Sequence, residues 1–329
     1  MSRLVNLERK EYMKSFRWIV GAFALFFFST VTCWGQNVQN VLSNAFEDSV
    51  QKEIKTQPPE YDVLHDLPYY SGEGDDSYRD RQCRLDIVFP KNVEQPFSTI
   101  VWFHGGGLTG GKKYVPQALK ALRRFKEGKM AIVSVGYRLA PTASFPAYLE
   151  DVAASVSWVL DNISNYGGDP SQVFISGGSA GAYLATMTSA YPKYLNIYSH
   201  DPQEIAGVIA VSGQMTTHFH VKEELSYKGD QYVPFIDDKA PLGGVSSSFP
   251  PIFFLLGDRK LEWKCRVEEN ELMAASLRAL GAKKVVFLEC PGYSHQISEM
   301  GNNITEEIVD AIDLFIDDVI EIQESAKRP

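Results

Sequence analysis

The stretch that most constrains this chain is residues 172–182, which read QVFISGGSAGA. Val173, Phe174, Ile175 and Ser176 form a β-branched and aromatic run, the composition of a buried strand. Gly177-Gly178-Ser179-Ala180-Gly181 follows at once in the pattern G-x-S-x-G, and helical spacing begins at Ala182. A tight turn between a strand and a helix strains the serine it carries, and glycines on both sides remove the side chains that would collide there. The helix starting after Ser179 points its first N–H groups at the same place, which favours developing negative charge. The bland alternative is a Gly/Ser loop joining a strand to a helix, and the rest of the chain decides between the two.

Strands alternate with helices along the sequence. Residues 61–70 and 83–89 predict an antiparallel edge. Residues 98–103, 131–137, 173–176, 207–212, 251–256 and 284–288 predict further strands. Helices are expected at 115–126, 147–166, after Ser179, at 269–280 and at 306–321. Such alternation belongs to an α/β fold with a mainly parallel sheet covered on both faces. With no internal repeat or low-complexity linker, residues 61–329 are expected to form one domain, and 44% hydrophobic residues suffice for its core. Residues 191–250, apart from their strand, exceed an ordinary connection and are expected to cap the site.

Residues 1–35 stand apart. Lys14 and Arg17 precede an uncharged run at 18–34, and Gly35 follows. This is the order of a signal peptide, predicting export to the periplasm or medium. The run is at the short limit for a membrane anchor, and Thr32 disfavours a lipid-modified Cys33. Residues 36–60 read as a polar leader. Export would permit one disulfide among Cys83, Cys265 and Cys290, with Cys265–Cys290 as one pairing, but three plain buried thiols is the preferred reading. The chain carries −9 overall, and −12 without its first 35 residues, a charge that repels phosphate backbones and argues against nucleic-acid binding.

A nucleophilic Ser179 would require a base, a group to orient that base, and donors for an oxyanion. Of six histidines, His65 precedes the main sheet, His104 sits in a glycine run, and His200, His218 and His220 lie in the variable region. His295 remains, after the last strand, in the Ser-acid-His chain order of such sheets. The acid is expected after the strand at 251–256, where the turn reads GDRKLE. Asp258 and Glu262 are both in reach, with Asp258 preferred. His104-Gly105-Gly106-Gly107 follows a central strand and lets backbone amides approach an oxygen closely, so Gly106, Gly107 and the N–H of Ala180 are the expected oxyanion donors. Trp263, beside the acid turn, is the best platform for a substrate, with His218 and Leu108 as further contacts. His218-Phe219-His220 lacks the Cys or acidic partners of a zinc site, and Gly111-Lys112-Lys113 lacks the Ser or Thr of a phosphate loop, so no metal or cofactor is expected.

The stretches VWFHGGGLTGGKKYVP, VSVGYRLAP, FPAYLEDVAASVSWVLDNISNYGGDPSQVFISGGSAGAYLA and GYSH resemble the α/β-hydrolase fold. They are most similar to its hormone-sensitive-lipase-like and bacterial acetyl or feruloyl esterase group, over roughly residues 61–322. The resemblance implies a carboxylic ester hydrolase with Ser179 as nucleophile and His295 as base. It also implies an acyl-enzyme and a small ester or acylated plant polysaccharide as substrate. The group usually has Glu or His before the serine and a second Gly after Ser-Ala-Gly, where this chain has Gly178 and Ala182. It also usually has Asp three residues past the strand-end Gly, where this chain has Lys260. Two rival readings are a prolyl-oligopeptidase-type peptidase, for which no propeller domain is present in the sequence, and an inactive hydrolase fold used for binding.

Overall fold

The computed structural model describes residues 60–71, 77–91, 96–114, 129–299 and 304–327. The expected signal peptide, the leader as far as residue 59 and the helix expected at 115–126 lie outside the described residues. Eight strands form one sheet: β1 (Tyr61–Pro68), β2 (Arg84–Pro90), β3 (Phe97–Phe103), β4 (Ala131–Val135), β5 (Gly168–Gly178), β6 (Gly207–Val211), β7 (Ile252–Leu256) and β8 (Val285–Glu289). Their order across the sheet is β1-β2-β4-β3-β5-β6-β7-β8. β2 runs antiparallel to β1 and β4, and every other neighbouring pair is parallel. This is the expected architecture, antiparallel edge included.

The central strands are apolar on both faces because both faces are covered. Val173 and Ile175 of β5, Val208 and Ala210 of β6, and Ile252, Phe254 and Leu256 of β7 point into one core. Phe174, Ile209, Val211, Phe253 and Leu255, the residues between them, point into the other. The helices in chain order are α1 (Ser77–Gln82), α2 (Ala147–Asn162), α3 (Ala180–Ala190), α4 (Lys193–Asn196), α5 (Phe219–Glu224), α6 (Arg266–Ala279) and α7 (Glu306–Lys327). α2, α3 and α6 contribute to the first core and α7 to the second. In α7, Ile308, Ile312, Phe315, Ile316 and Val319 are buried at helical spacing, an apolar stripe of the kind that fixes a helix to a sheet. α3 is buried along its whole length, which places the start of the helix after Ser179 inside the protein.

Of the segment expected as a cap, α4 packs beside α2, and Leu195 and Ile205 join the first core. Between β6 and β7 the chain carries α5 and a 3-10 turn at Pro241–Gly244. Cys83, Cys265 and Cys290 are free thiols, with Cys83 and Cys290 buried.

Candidate active site

The sequence-singled-out residues collect at the carboxyl ends of neighbouring strands, where ligands bind in open α/β sheets. His104–Gly107 follows β3, Ser179 follows β5, Glu262 lies in the turn after β7, and His295 lies beyond β8. Backbone bonds knit the crest together. Ser179 N donates to Val211 O (2.8 Å), Ser212 N to Leu255 O (2.8 Å), and Cys290 N to Leu256 O (2.9 Å).

Ser179 has φ 54° and ψ −116°, a positive φ that serine rarely adopts. The neighbouring glycines make the turn possible. A Cβ on Gly177 would lie 2.5 Å from the carbonyl carbon of Gly181, and one on Gly181 would lie 2.1 Å from Phe103 O. One on Gly178 would lie 1.8 Å from Ser298 O, in the 3-10 turn His295–Glu299. The turn therefore packs backbone to backbone against both β3 and the histidine loop, which fixes where the hydroxyl points.

His295 Nε2 lies 2.9 Å from Ser179 Oγ, and His295 Nδ1 lies 2.5 Å from Glu262 Oε1. The Glu262 side chain is fully buried. Its Oε1 also accepts from Trp263 N (3.0 Å), and its Oε2 from Ser212 Oγ (2.7 Å). Burial opposes ionisation of this carboxyl, but the hydrogen bond and charge of His295, with the bonds from Ser212 and Trp263, outweigh it and hold the pKa below the usual carboxylate range.

The preference for Asp258 as the imidazole's partner is corrected by this geometry. Asp258 accepts from Lys260 N (2.9 Å) and Gly292 N (3.0 Å), so its carboxylate laces the turn to the loop after β8. Its carbonyl accepts from both Leu261 N and Glu262 N, each at 2.8 Å. That tight turn carries Glu262 back over the strand end to the imidazole.

The glycine run after β3 abuts the serine turn: a Cβ on Gly105 would lie 3.0 Å from Gly178 O and 3.4 Å from Ser179 Cβ. Gly106 and Gly107 have φ of 115° and 63°. Thr109 N and Gly110 N fold back onto Gly106 O (3.1 and 3.0 Å), while the amides of Gly106 and Gly107 donate no backbone bond among the described residues. They remain available, as does the N–H of Ala180 in the first turn of α3.

His104 supports this loop from beneath. It stacks on Tyr137 at 4.3 Å, and the Tyr137 hydroxyl donates to His104 O (2.6 Å). Its Nδ1–H donates to Gly105 O (2.8 Å), leaving Nε2 buried and unpartnered. Desolvation lowers its pKa from 6.5 to about 4. Because the folded value is the lower one, the unfolded chain takes the proton first. The resulting stability is complete above pH 6.5 and is lost as pH falls towards 4, by at most about 3 kcal/mol. Melting temperatures of wild type and His104→Asn between pH 7 and 4 would read this. The wild-type advantage is expected to shrink through that window, and a constant difference would refute it.

An aromatic wall flanks the imidazole. Trp263 stacks on His295 at 4.4 Å with 20° between planes, and Phe219, at the start of α5, lies 5.9 Å from Trp263. Phe219 also faces the glycine run, its Cζ 3.3 Å from where a Cβ on Gly107 would sit. Tyr232, half exposed, continues the row at 6.1 Å. Sequence reading named Trp263 but missed Phe219 and Tyr232. It also placed His218 and Leu108 among the contacts, and both are buried. His218 packs between Tyr183 and Phe219, its Nδ1 accepting from His220 N (3.3 Å). Leu108 is fully buried, and its carbonyl accepts from Ala140 N (2.9 Å). Phe219, between the two histidines, presents the surface that His218 does not.

Residues 85–227 match the BD-FAE family model. The chain is similar to esterase LipQ of Mycobacterium tuberculosis, 26% identical over 273 residues, covering 76% of this chain and 61% of LipQ. It thus spans about three fifths of the length of the curated relatives it matches. Among solved structures it is similar to esterase B from Lactobacillus rhamnosis (TM-score 0.65, 17% identity, 88% of this chain and 98% of that one). It is also similar to a truncated carbohydrate esterase from gut microbiota (TM-score 0.61, 18% identity, 80% and 99%).

Proposed function

This chain has the α/β-hydrolase fold, and from that premise we propose that it is a serine carboxylesterase. The observation that carries the reading is the unbroken hydrogen-bonded row Ser179 Oγ, His295, Glu262. Ser179 Oγ attacks the ester carbonyl carbon as its proton passes to His295 Nε2. The buried Glu262 carboxylate stabilises the imidazolium and holds the tautomer in which Nε2 is free to accept. The N–H groups of Gly106, Gly107 and Ala180 receive the oxyanion. The C–O bond to the alcohol breaks, the alcohol taking the proton from His295. Water, deprotonated by the same nitrogen, then releases the acid and restores Ser179.

The test is a pre-steady-state measurement with p-nitrophenyl acetate. A burst of one nitrophenolate per site is expected, with acetyl found on Ser179 after an acid quench. An acetyl group found elsewhere, with Ser179 unmodified, would defeat the assignment.

For substrate, we favour acetyl or hydroxycinnamoyl esters of plant polysaccharide. The gut-microbiota structure to which the chain is similar is that of a carbohydrate esterase. The wall from Trp263 through Phe219 to Tyr232 suits the apolar face of a pyranose or an aryl ring. Tyr232→Ala is expected to raise KM for methyl ferulate or acetylated xylo-oligosaccharide about two- to tenfold, a stacking contact's worth. Methyl acetate, too small to reach Tyr232, should be unaffected. Whichever substrate responds says whether the wall meets the acyl or the sugar side.

A further inference from the structure

On the esterase reading above, we infer that Ser212 is a positioning residue for the His295–Glu262 pair. β6 lies between β5 and β7 in the sheet, so the residue just past its end stands between the strands that carry Ser179 and Glu262. That residue is Ser212. Its hydroxyl donates to Glu262 Oε2 (2.7 Å), the oxygen not facing the imidazole. His295 Nδ1 and Trp263 N share the other oxygen. The carboxylate is thereby pinned at both ends, and rotation about its last bond would break one contact or the other.

Two further observations single this serine out. Its φ is 49°, a left-handed conformation that glycine adopts freely and serine does not. That strained backbone lies where the hydroxyl meets the Glu262 carboxylate. The peptide around it is also clamped. Its N–H donates to Leu255 O (2.8 Å), and its carbonyl accepts from Arg266 Nη1 (2.8 Å). Arg266 is itself buried and pairs with buried Glu269 at 3.2 Å, and Glu269 accepts from Thr216 Oγ1 (2.6 Å). This ion pair ties the turn after β6 to α6 and so fixes the backbone from which the Ser212 hydroxyl reaches Glu262.

Ser212→Gly separates positioning from folding, because it deletes the hydroxyl and relieves the backbone at once. With p-nitrophenyl acetate, kcat is expected to fall about 10- to 100-fold, the range for a lost hydrogen bond to a charged group. KM should stay within about twofold, and the melting temperature should be unchanged or higher. Ser212→Ala should show the same loss in kcat, and serves if the glycine loosens the turn. In a Glu262→Gln background either change should cost less than about threefold more, since the contact they remove has already lost its charge. An unchanged kcat, or an undiminished loss in that background, would overturn the assignment. Ser179→Ala run alongside separates the two claims: if it keeps turnover the esterase reading itself fails, whereas if it is dead and Ser212→Gly is fully active only the role of Ser212 fails.

Discussion

Ser179→Ala is expected to lower kcat for p-nitrophenyl acetate by about ten-thousand-fold or more. The hydroxyl is the only atom removed, and the turn does not need it. The positive φ of Ser179 is imposed by packing at Gly177, Gly178 and Gly181, and Ser179 N is held by Val211 O. The variant should therefore fold, bind and melt like wild type, with residual rate coming from the glycine amides and binding alone. Stopped-flow and steady-state rates with a melting curve check this, and substantial turnover by the variant would refute the nucleophile assignment.

Glu262→Gln should be nearly as severe, at about 1,000-fold or more in kcat. The amide can still offer an oxygen towards His295 Nδ1, but the charge that stabilises imidazolium is gone from a fully buried position. Asp258→Asn, by contrast, should change kcat less than about threefold, because its carboxylate is solvent-facing and bonds to backbone amides that an asparagine oxygen can still reach. Measuring both variants under one condition is decisive. A large loss in the aspartate variant with a small one in the glutamate variant would return the acid to residue 258.

That pair also marks where the sequence stopped being informative. The serine turn and the glycine run were legible because each carries steric demands that few residues meet. The strands were legible because their apolar runs are continuous. The carboxylate was not, because both candidates lie within six residues of a strand end and the choice depends on how the turn closes. Leu261 N and Glu262 N both bond to Asp258 O, a local curl with no marker in GDRKLE. Ser212 carried no signal either: a lone serine after an apolar strand looks like any other, and its meaning lies in a residue 50 positions away. In the wall, the sequence His218-Phe219-His220 displays its two histidines as the conspicuous groups, whereas α5 turns Phe219 towards Gly107 and Trp263 and shuts His218 inside.

The carbonyl of Ser298 lies where a side chain on residue 178 would begin. The resembled group usually has Glu or His there. Restoring that consensus, the obvious first move in any attempt at thermostabilisation by family averaging, would wedge the imidazole loop away from the hydroxyl it serves. In this protein the two loops touch backbone to backbone at that point, so a library that varies position 178 needs to vary 296–299 with it.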